Sequence, residues 1–197
     1  MTSIRIQGIK YDEKSSFQRG SRLAPPLIRE AFFCPSTNLS AENGELIDLK
    51  MLDDKGDFEV GEYFDIEEVT RNNLDDEHKL LTLGGDHSIT FPIIKAHHDR
   101  YPKLDILQID AHSDLYEEFE GDRYSHACPF ARIMENGYAA RLVQVGIRTL
   151  NSHQKAQAER FNVEINEMKN LDLATLPDFK NPLYISLDLD GIDPAFA

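Results

Sequence analysis

Short runs of β-branched and aliphatic residues recur along the chain and are separated by longer stretches of mixed polarity. Such runs, bounded by polar or turn-forming residues, are typical of strands that are buried on both faces. We predict strands at residues 4–9, 46–49, 80–83, 104–109, 142–147, 163–165 and 183–189.

The stretches between these runs carry apolar residues at helical spacing. We predict helices at residues 26–33, 63–78, 88–100, 128–136 and 152–161. Strands that alternate with helices indicate βαβ units and a parallel sheet with helices on both faces. The chain contains no internal repeat and no linker rich in proline or glycine, so we predict a single domain over residues 1–197.

Acidic and imidazole side chains follow three of the predicted strands. The segments are GGDHS at 84–88, DAHSD at 110–114 and SLDLDGIDP at 186–194. Ligands of open parallel sheets bind beyond the carboxyl ends of the strands, so these segments mark the candidate site. Alternate residues of an extended chain share a face. If the strand direction persists, Asp110, His112 and Asp114 would point in one direction, and Asp188 and Asp190 likewise.

The number and type of these side chains indicate a metal site. So many carboxylates at one edge of a sheet are electrostatically costly unless cations lie among them. Four Asp and two His residues are too many for one tetrahedral zinc, and two six-coordinate ions with bridging carboxylates fit better. Oxygen-rich ligation with some imidazole suits manganese. Each segment alone is also typical of a cap or turn, and His87 could simply start a helix after Gly84-Gly85.

The three segments resemble, in the same order, the metal-binding signatures of the arginase, agmatinase and formiminoglutamase family. The similarity extends to residues 20–29, 125–130 and 142–148, and so spans nearly the whole chain. It implies a three-layer α/β/α sandwich with an eight-stranded parallel sheet. It further implies homo-oligomers, as trimers or hexamers, and two Mn²⁺ ions per chain.

The resemblance also implies a ligand set. One ion would be held by His87, Asp110, Asp114 and Asp188. The other would be held by Asp110, His112, Asp188 and Asp190, so that Asp110 and Asp188 bridge the pair.

The reaction implied is hydrolysis of a guanidinium C–N bond by water that the two ions activate. Asp114 would hold the nucleophile and carry a proton, and His126 resembles the family's proton-shuttling histidine. A histidine that caps a helix at residues 125–129 is the alternative for His126. Arginases place an asparagine two residues before this histidine, whereas Tyr124 stands here. Residues 124–130 resemble agmatinases instead. The resemblance therefore implies agmatine, hydrolysed to putrescine and urea, with guanidinobutyrate, arginine and formiminoglutamate left open.

Family members continue beyond the position of Ala197. We expect the further part to hold the eighth strand, between the strands that end at Leu83 and Leu189, and a glutamate that pairs with the guanidinium. A truncated member that serves as an assembly or regulatory subunit is therefore an alternative. A binuclear phosphoesterase is a poor fit, because its Asn-His pair follows a central Asp, whereas GGDHS precedes DAHSD. A binding domain with carboxylate-rich loops is a further alternative.

The composition limits the classes of molecule that the protein could bind and the cellular compartment in which it could lie. With 21 basic and 35 acidic residues, the formal net charge of −14 disfavours nucleic acid and anionic membranes, and suits a small cationic substrate. Two cysteines far apart in sequence indicate no disulfide framework. The start of the sequence lacks a signal peptide and no segment is apolar enough to span a bilayer, so we predict a cytoplasmic protein.

Overall fold

The computed structural model describes residues 3–172, 174, 177–193 and 195. The chain divides into two compact units, Met1–Ile89 and Thr90–Ala197, and each is described by itself. Among the described residues, no helix has both the length and the apolar character that crossing a bilayer requires. The single domain predicted for residues 1–197 stays a prediction.

The described part of the first unit contains a parallel sheet of three strands in the order β2-β1-β3, flanked by two helices. The strands are β1 (Ser3–Lys10), β2 (Leu52–Glu59) and β3 (His78–Leu83). The helices are α1 (Ala24–Phe32) and α2 (Asp65–Asn73), with short 3-10 helices at Ser21–Leu23, Leu49–Met51 and His87–Ile89.

The predicted strand at 46–49 is wrong. Leu46 forms one isolated bridge, and Leu49–Met51 is a 3-10 helix. The strand in this part of the chain is β2, which the apolar pattern missed because its sequence, LDDKGDFE, is mostly polar. As an edge strand, β2 needs no apolar run, and the Asp53 carboxylate accepts a 2.7 Å hydrogen bond from Arg5 on β1.

The predicted helix at 63–78 is too long. It ends at Asn73, and the acidic run that follows forms a turn into β3. In this turn the Asp75 carboxylate accepts hydrogen bonds at 2.9 Å from the backbone amides of Glu77 and His78. Aspartate competes with the helix by bonding to the backbone locally, so the run favours a turn.

The described part of the second unit contains a parallel sheet of four strands in the order β6-β5-β4-β7. The strands are β4 (Asp105–Ile109), β5 (Arg141–Ile147), β6 (Glu164–Glu167) and β7 (Leu183–Leu187). The helices are α3 (Thr90–His98), α4 (Pro129–Glu135) and α5 (Ser152–Phe161), with 3-10 helices at Met168–Asn170 and Leu189–Gly191. The predicted helix at 152–161 is confirmed, and the Asn151 side chain caps it by accepting a 2.9 Å bond from the Gln154 amide.

The predicted α/β class with parallel strands is confirmed, because every strand pairing within the two sheets is parallel. Completely buried aliphatic side chains such as Ile106, Leu142 and Val143 form the core around β4 and β5. This core places β4 between two parallel neighbours and brings the ends of β4 and β7 side by side. The shared register sets the geometry of the candidate site.

Candidate metal centre

Asp110 follows β4 directly and is completely buried. One carboxylate oxygen accepts a 2.7 Å hydrogen bond from the His112 amide, and the other accepts a 2.7 Å bond from Gln108 Nε2. The Asp110 amide donates to the Val145 carbonyl at 3.0 Å. Main chain and side chain of Asp110 are therefore both held in place.

A turn of the backbone after β4, and not an extended strand, brings Asp114 close to Asp110. β4 ends at Ile109, so the extended direction that the shared face of alternate residues required does not persist here. Asp114 instead has a left-handed backbone, with φ 48°, a conformation that aspartate tolerates better than most residues. Its carboxylate comes within 4.8 Å of an Asp110 oxygen.

The residues after β7 turn toward the end of β4. The Asp188 amide donates to the Ile109 carbonyl at 3.0 Å, and the Asp188 carboxylate accepts a 3.1 Å bond from the Asp190 amide. This bond starts the 3-10 helix Leu189–Gly191. One oxygen of Asp190 then accepts a 3.2 Å bond from the Ala111 amide, which ties the β7 loop to the β4 loop.

Gly191 makes this approach possible. A Cβ atom on Gly191 would lie 2.9 Å from the Asp110 nitrogen, closer than real Cβ atoms come. On the other side, Gly146 of β5 has φ +92°, and a Cβ there would lie 3.2 Å from the Asp110 carbonyl oxygen. The main chain of Asp110 is thus closely packed between strand β5 and the segment after β7, each of which needs a glycine at the contact.

Three predicted ligands converge in the second unit. Ligand atoms of Asp110, His112 and Asp190 all lie within 4.8 Å of one another, and His112 Nδ1 is 3.0 Å from the Asp190 carboxylate. The carboxylates of Asp110 and Asp190 raise the pKa of His112 to about 10, although the imidazole is half exposed. The environment is therefore strongly negative. Asp188 contacts this part of the site through its amide, which donates to the Ile109 carbonyl, and through its carboxylate, which accepts from the Asp190 amide.

His87 lies in the first unit, where it begins the 3-10 helix His87–Ile89. Its neighbour Asp86 is buried and has a structural role, because its carboxylate accepts bonds from the backbone amides of Lys14 and Ser88. Gly85 lets this segment contact Tyr11 closely, since a Cβ would overlap the Tyr11 carbonyl oxygen. The GGDHS segment therefore presents a half-buried His87 on a firmly held turn.

His126 lies on the loop that joins Asp114 to α4. The Tyr116 amide donates to the Ala127 carbonyl at 3.1 Å, which brings the segment after Asp114 alongside the segment after His126. The imidazole is half buried, and its ring meets Phe119 edge-on at 6.4 Å between centroids. Cys128 occupies the position before α4, and the choice between a proton-shuttling and a capping histidine stays a prediction.

Tyr124 also lies on this loop, and the prediction of agmatine as the substrate depends on this residue. Its ring packs near Phe91 of α3, with 5.7 Å between centroids, and its amide donates to the Asp122 carboxylate. The Tyr124 ring therefore contributes packing against α3.

Sequence reasoning missed two buried residues beside the site, Gln108 and Gln144. They lie opposite each other on β4 and β5, and both are completely buried. The signal that could have revealed them is a polar amide flanked by apolar residues inside each of the two strands.

Comparison with known proteins found relatives over nearly the whole chain. The model of the arginase family matches residues 2–197. Mitochondrial arginase 1 of Arabidopsis thaliana is 44% identical over 216 residues, which cover 99% of this chain and 63% of that protein. The mitochondrial guanidino acid hydrolase of Homo sapiens is 31% identical, over 96% of this chain and 59% of that protein.

Among solved structures, the arginase from Medicago truncatula superposes with a TM-score of 0.87 at 39% identity, over 100% of this chain and 67% of that one. This likeness confirms the predicted α/β/α sandwich. The chain spans less than two thirds of the length of the curated relatives described above, 63% and 59% respectively.

Proposed function

The chain belongs to the arginase family, and on that premise we propose that it hydrolyses a C–N bond of a guanidino compound at a pair of manganese ions. The convergence of Asp110, His112 and Asp190 beyond the ends of β4 and β7 carries this proposal. These side chains follow two neighbouring strands, and their ligand atoms lie within 4.8 Å of one another, close enough to share a metal ion.

The residues present fit a pair of divalent ions. Carboxylate oxygens with one imidazole are the donors that manganese prefers, and the raised pKa of His112 reflects a local negative charge that a cation would neutralise. Asp114 lies beside Asp110, and Asp188 lies next to Asp190. The family resemblance adds His87 as the sixth ligand. When bound, two such ions supply hydroxide at neutral pH, because they lower the pKa of water.

The protein's own groups attract and orient the substrate and move protons. A guanidinium is cationic, so the carboxylates of the site favour its approach. In the balanced reaction a C–O bond forms at the guanidinium carbon, a C–N bond breaks, and the amine leaves with a proton as urea is released. Asp114 accepts the proton of the attacking water. His126 then supplies one to the departing amine.

Agmatine is the substrate that the loop before α4 favours. Tyr124 offers a ring packed near Phe91 in place of an amide that could bind an α-carboxylate, and agmatine has no such carboxylate. Arginine is the second candidate, because relatives as much as 44% identical are named arginases. The two substrates differ only by that carboxylate, so a direct comparison separates them.

The test measures urea release by the manganese-loaded chain from agmatine, arginine and guanidinobutyrate, with Asp110→Asn as the inactive control. We expect the highest kcat/KM for agmatine. A higher value for arginine would reverse the order of the two candidates. Bound manganese without urea from any substrate would favour the assembly or regulatory subunit.

Assembly and compartment are also part of the proposal. We expect a trimer or hexamer, which light scattering of the purified chain would reveal. The relatives described above are named mitochondrial, so the cytoplasmic location predicted from the sequence needs its own test. Imaging of the tagged protein in its native cell would provide that test.

A further inference from the structure

The buried pair Gln108 and Gln144 forms a hydrogen-bonded chain that ends at the candidate metal ligands. Gln144 Nε2 donates to Gln108 Oε1 at 2.6 Å and to the Ser113 carbonyl at 2.6 Å. Gln108 Nε2 donates to the Asp110 carboxylate at 2.7 Å and to the His112 carbonyl at 3.0 Å. All four bonds lie within the second unit, and three of them end on residues 110–113.

The direction of this chain is determined by its acceptors. Both targets of Gln108 Nε2, a carboxylate oxygen and a carbonyl oxygen, accept hydrogen bonds. If the Gln108 amide were flipped, its oxygen would face two other oxygens. Gln144 must then donate to Gln108 Oε1, so one amide orientation satisfies the whole chain.

Core stability alone does not account for the pair. Gln144 Oε1 is buried and has no hydrogen-bond partner among the described residues. A partly satisfied polar network in a core is less stable than well-packed apolar side chains. Such local conflicts with stability are expected where a residue serves a site.

We propose that Gln108 and Gln144 are positioning residues for the metal centre. Gln108 holds one oxygen of Asp110 while the His112 amide holds the other, so the carboxylate cannot rotate. The bonds to the His112 and Ser113 carbonyls hold the turn that carries His112 and Asp114. This inference rests on the proposed function, because it assigns support to the ligands of the proposed ions.

The test compares Gln108→Met with Gln7→Met in the full chain. Gln7 is also completely buried and also bonds through both ends of its amide, but its partners in the first unit, Thr82 and Asn73, are not proposed ligands. Two quantities are measured for each variant. One is the affinity for Mn²⁺ alone, from the electron paramagnetic resonance signal of free manganese, and the other is the Tm of the metal-free protein.

We expect Gln108→Met to weaken Mn²⁺ binding about 10- to 100-fold, as the loss of an outer partner of a ligand does. Gln7→Met should lower the Tm and leave Mn²⁺ affinity within about twofold, because it touches no ligand partner. Equal Mn²⁺ affinity for Gln108→Met and wild type would overturn the inference. An equal loss of affinity in Gln7→Met would also overturn it, because the effect would then be one of general stability.

Gln144→Met provides the same test if Gln108→Met does not fold. It removes the donor to Gln108 and to the Ser113 carbonyl and leaves Asp110 directly bonded, so we expect a smaller loss of affinity than about 100-fold. Unchanged Mn²⁺ affinity in this variant would count against the positioning role of Gln108 and Gln144. Wild-type protein that binds no Mn²⁺ would overturn the proposed function as well, whereas binding without urea release would leave this inference standing.

Discussion

The two strands that carry proposed ligands in the second unit are supported in different ways. β4 lies between β5 and β7, and Asp110 at its end is completely buried. β7 pairs with β4 alone among the described strands, and alternate side chains such as Ile185 and Leu187 are more than half exposed. Accordingly, the side chain of Asp190 is 47% exposed.

The two proposed ligands Asp110 and Asp190 therefore differ in how firmly the protein holds them. Asp110 is held by bonds to both carboxylate oxygens and to its amide, so its geometry exists before any ion arrives. Asp190 depends on contacts of its loop, chiefly the Ala111 amide and the close approach of Gly191. We therefore expect metal affinity to depend most on the β4 side, and the β7 side to adjust on binding.

The largest effect is expected for Asp110→Asn. Both oxygens of Asp110 accept hydrogen bonds, so an asparagine places its NH₂ against a donor whichever way it turns, and the negative charge is lost. A supporting partner is worth about 10- to 100-fold in metal affinity, and loss of a direct ligand should exceed about 100-fold. Mass spectrometry of bound metal would check this. Two tightly bound Mn²⁺ ions in the variant would contradict the central role of β4.

Asp188→Ala is the matching change on β7. It removes a proposed bridging ligand and also the acceptor of the Asp190 amide, which starts the 3-10 helix Leu189–Gly191. We expect loss of at least one Mn²⁺ and nearly all urea formation, since the nucleophile depends on both ions. Substantial turnover at saturating manganese would argue against a bridging role.

Gly191→Ala should produce an intermediate effect. The added Cβ would lie 2.9 Å from the Asp110 nitrogen, so one of the two main-chain segments must move. The exposed loop after β7 should move, and the central strand β4 should stay in place. This movement would displace Asp190 and weaken Mn²⁺ binding by about tenfold. Gly61→Ala is the control, because its Cβ meets only ordinary contact at 3.9 Å. A variant with unchanged Mn²⁺ affinity would show that the approach is not critical.

Arg148→Met should have the smallest effect. The exposed guanidinium donates a 2.5 Å hydrogen bond to the Asp190 carbonyl, and the loss of one exposed bond should weaken Mn²⁺ binding less than about tenfold. Arg160→Met on α5 is the matched control, since Arg160 bonds to Gln157 of its own helix. Calorimetric titration with Mn²⁺ would resolve the two variants. A loss as large as that of Asp188→Ala would mean that β7 is as preorganised as β4.

The sequence by itself determined much of the fold and the identity of the candidate ligands. Apolar runs predicted every described strand except β2, whose polar residues are tolerated at a sheet edge. The carboxylates and histidines were visible because they follow those runs directly. Such patterns involve residues that are close in sequence, so they can be recognised without the structure.

Only the tertiary structure decided how these residues meet. The amide of Ala111 bonds to Asp190, 79 positions later in the chain, because β4 and β7 are neighbours in the sheet. The left-handed turn at Asp114 and the pairing of Gln108 with Gln144 likewise depend on loop geometry and strand order. No local pattern encodes which strands lie side by side, since that choice minimises the free energy of the whole core.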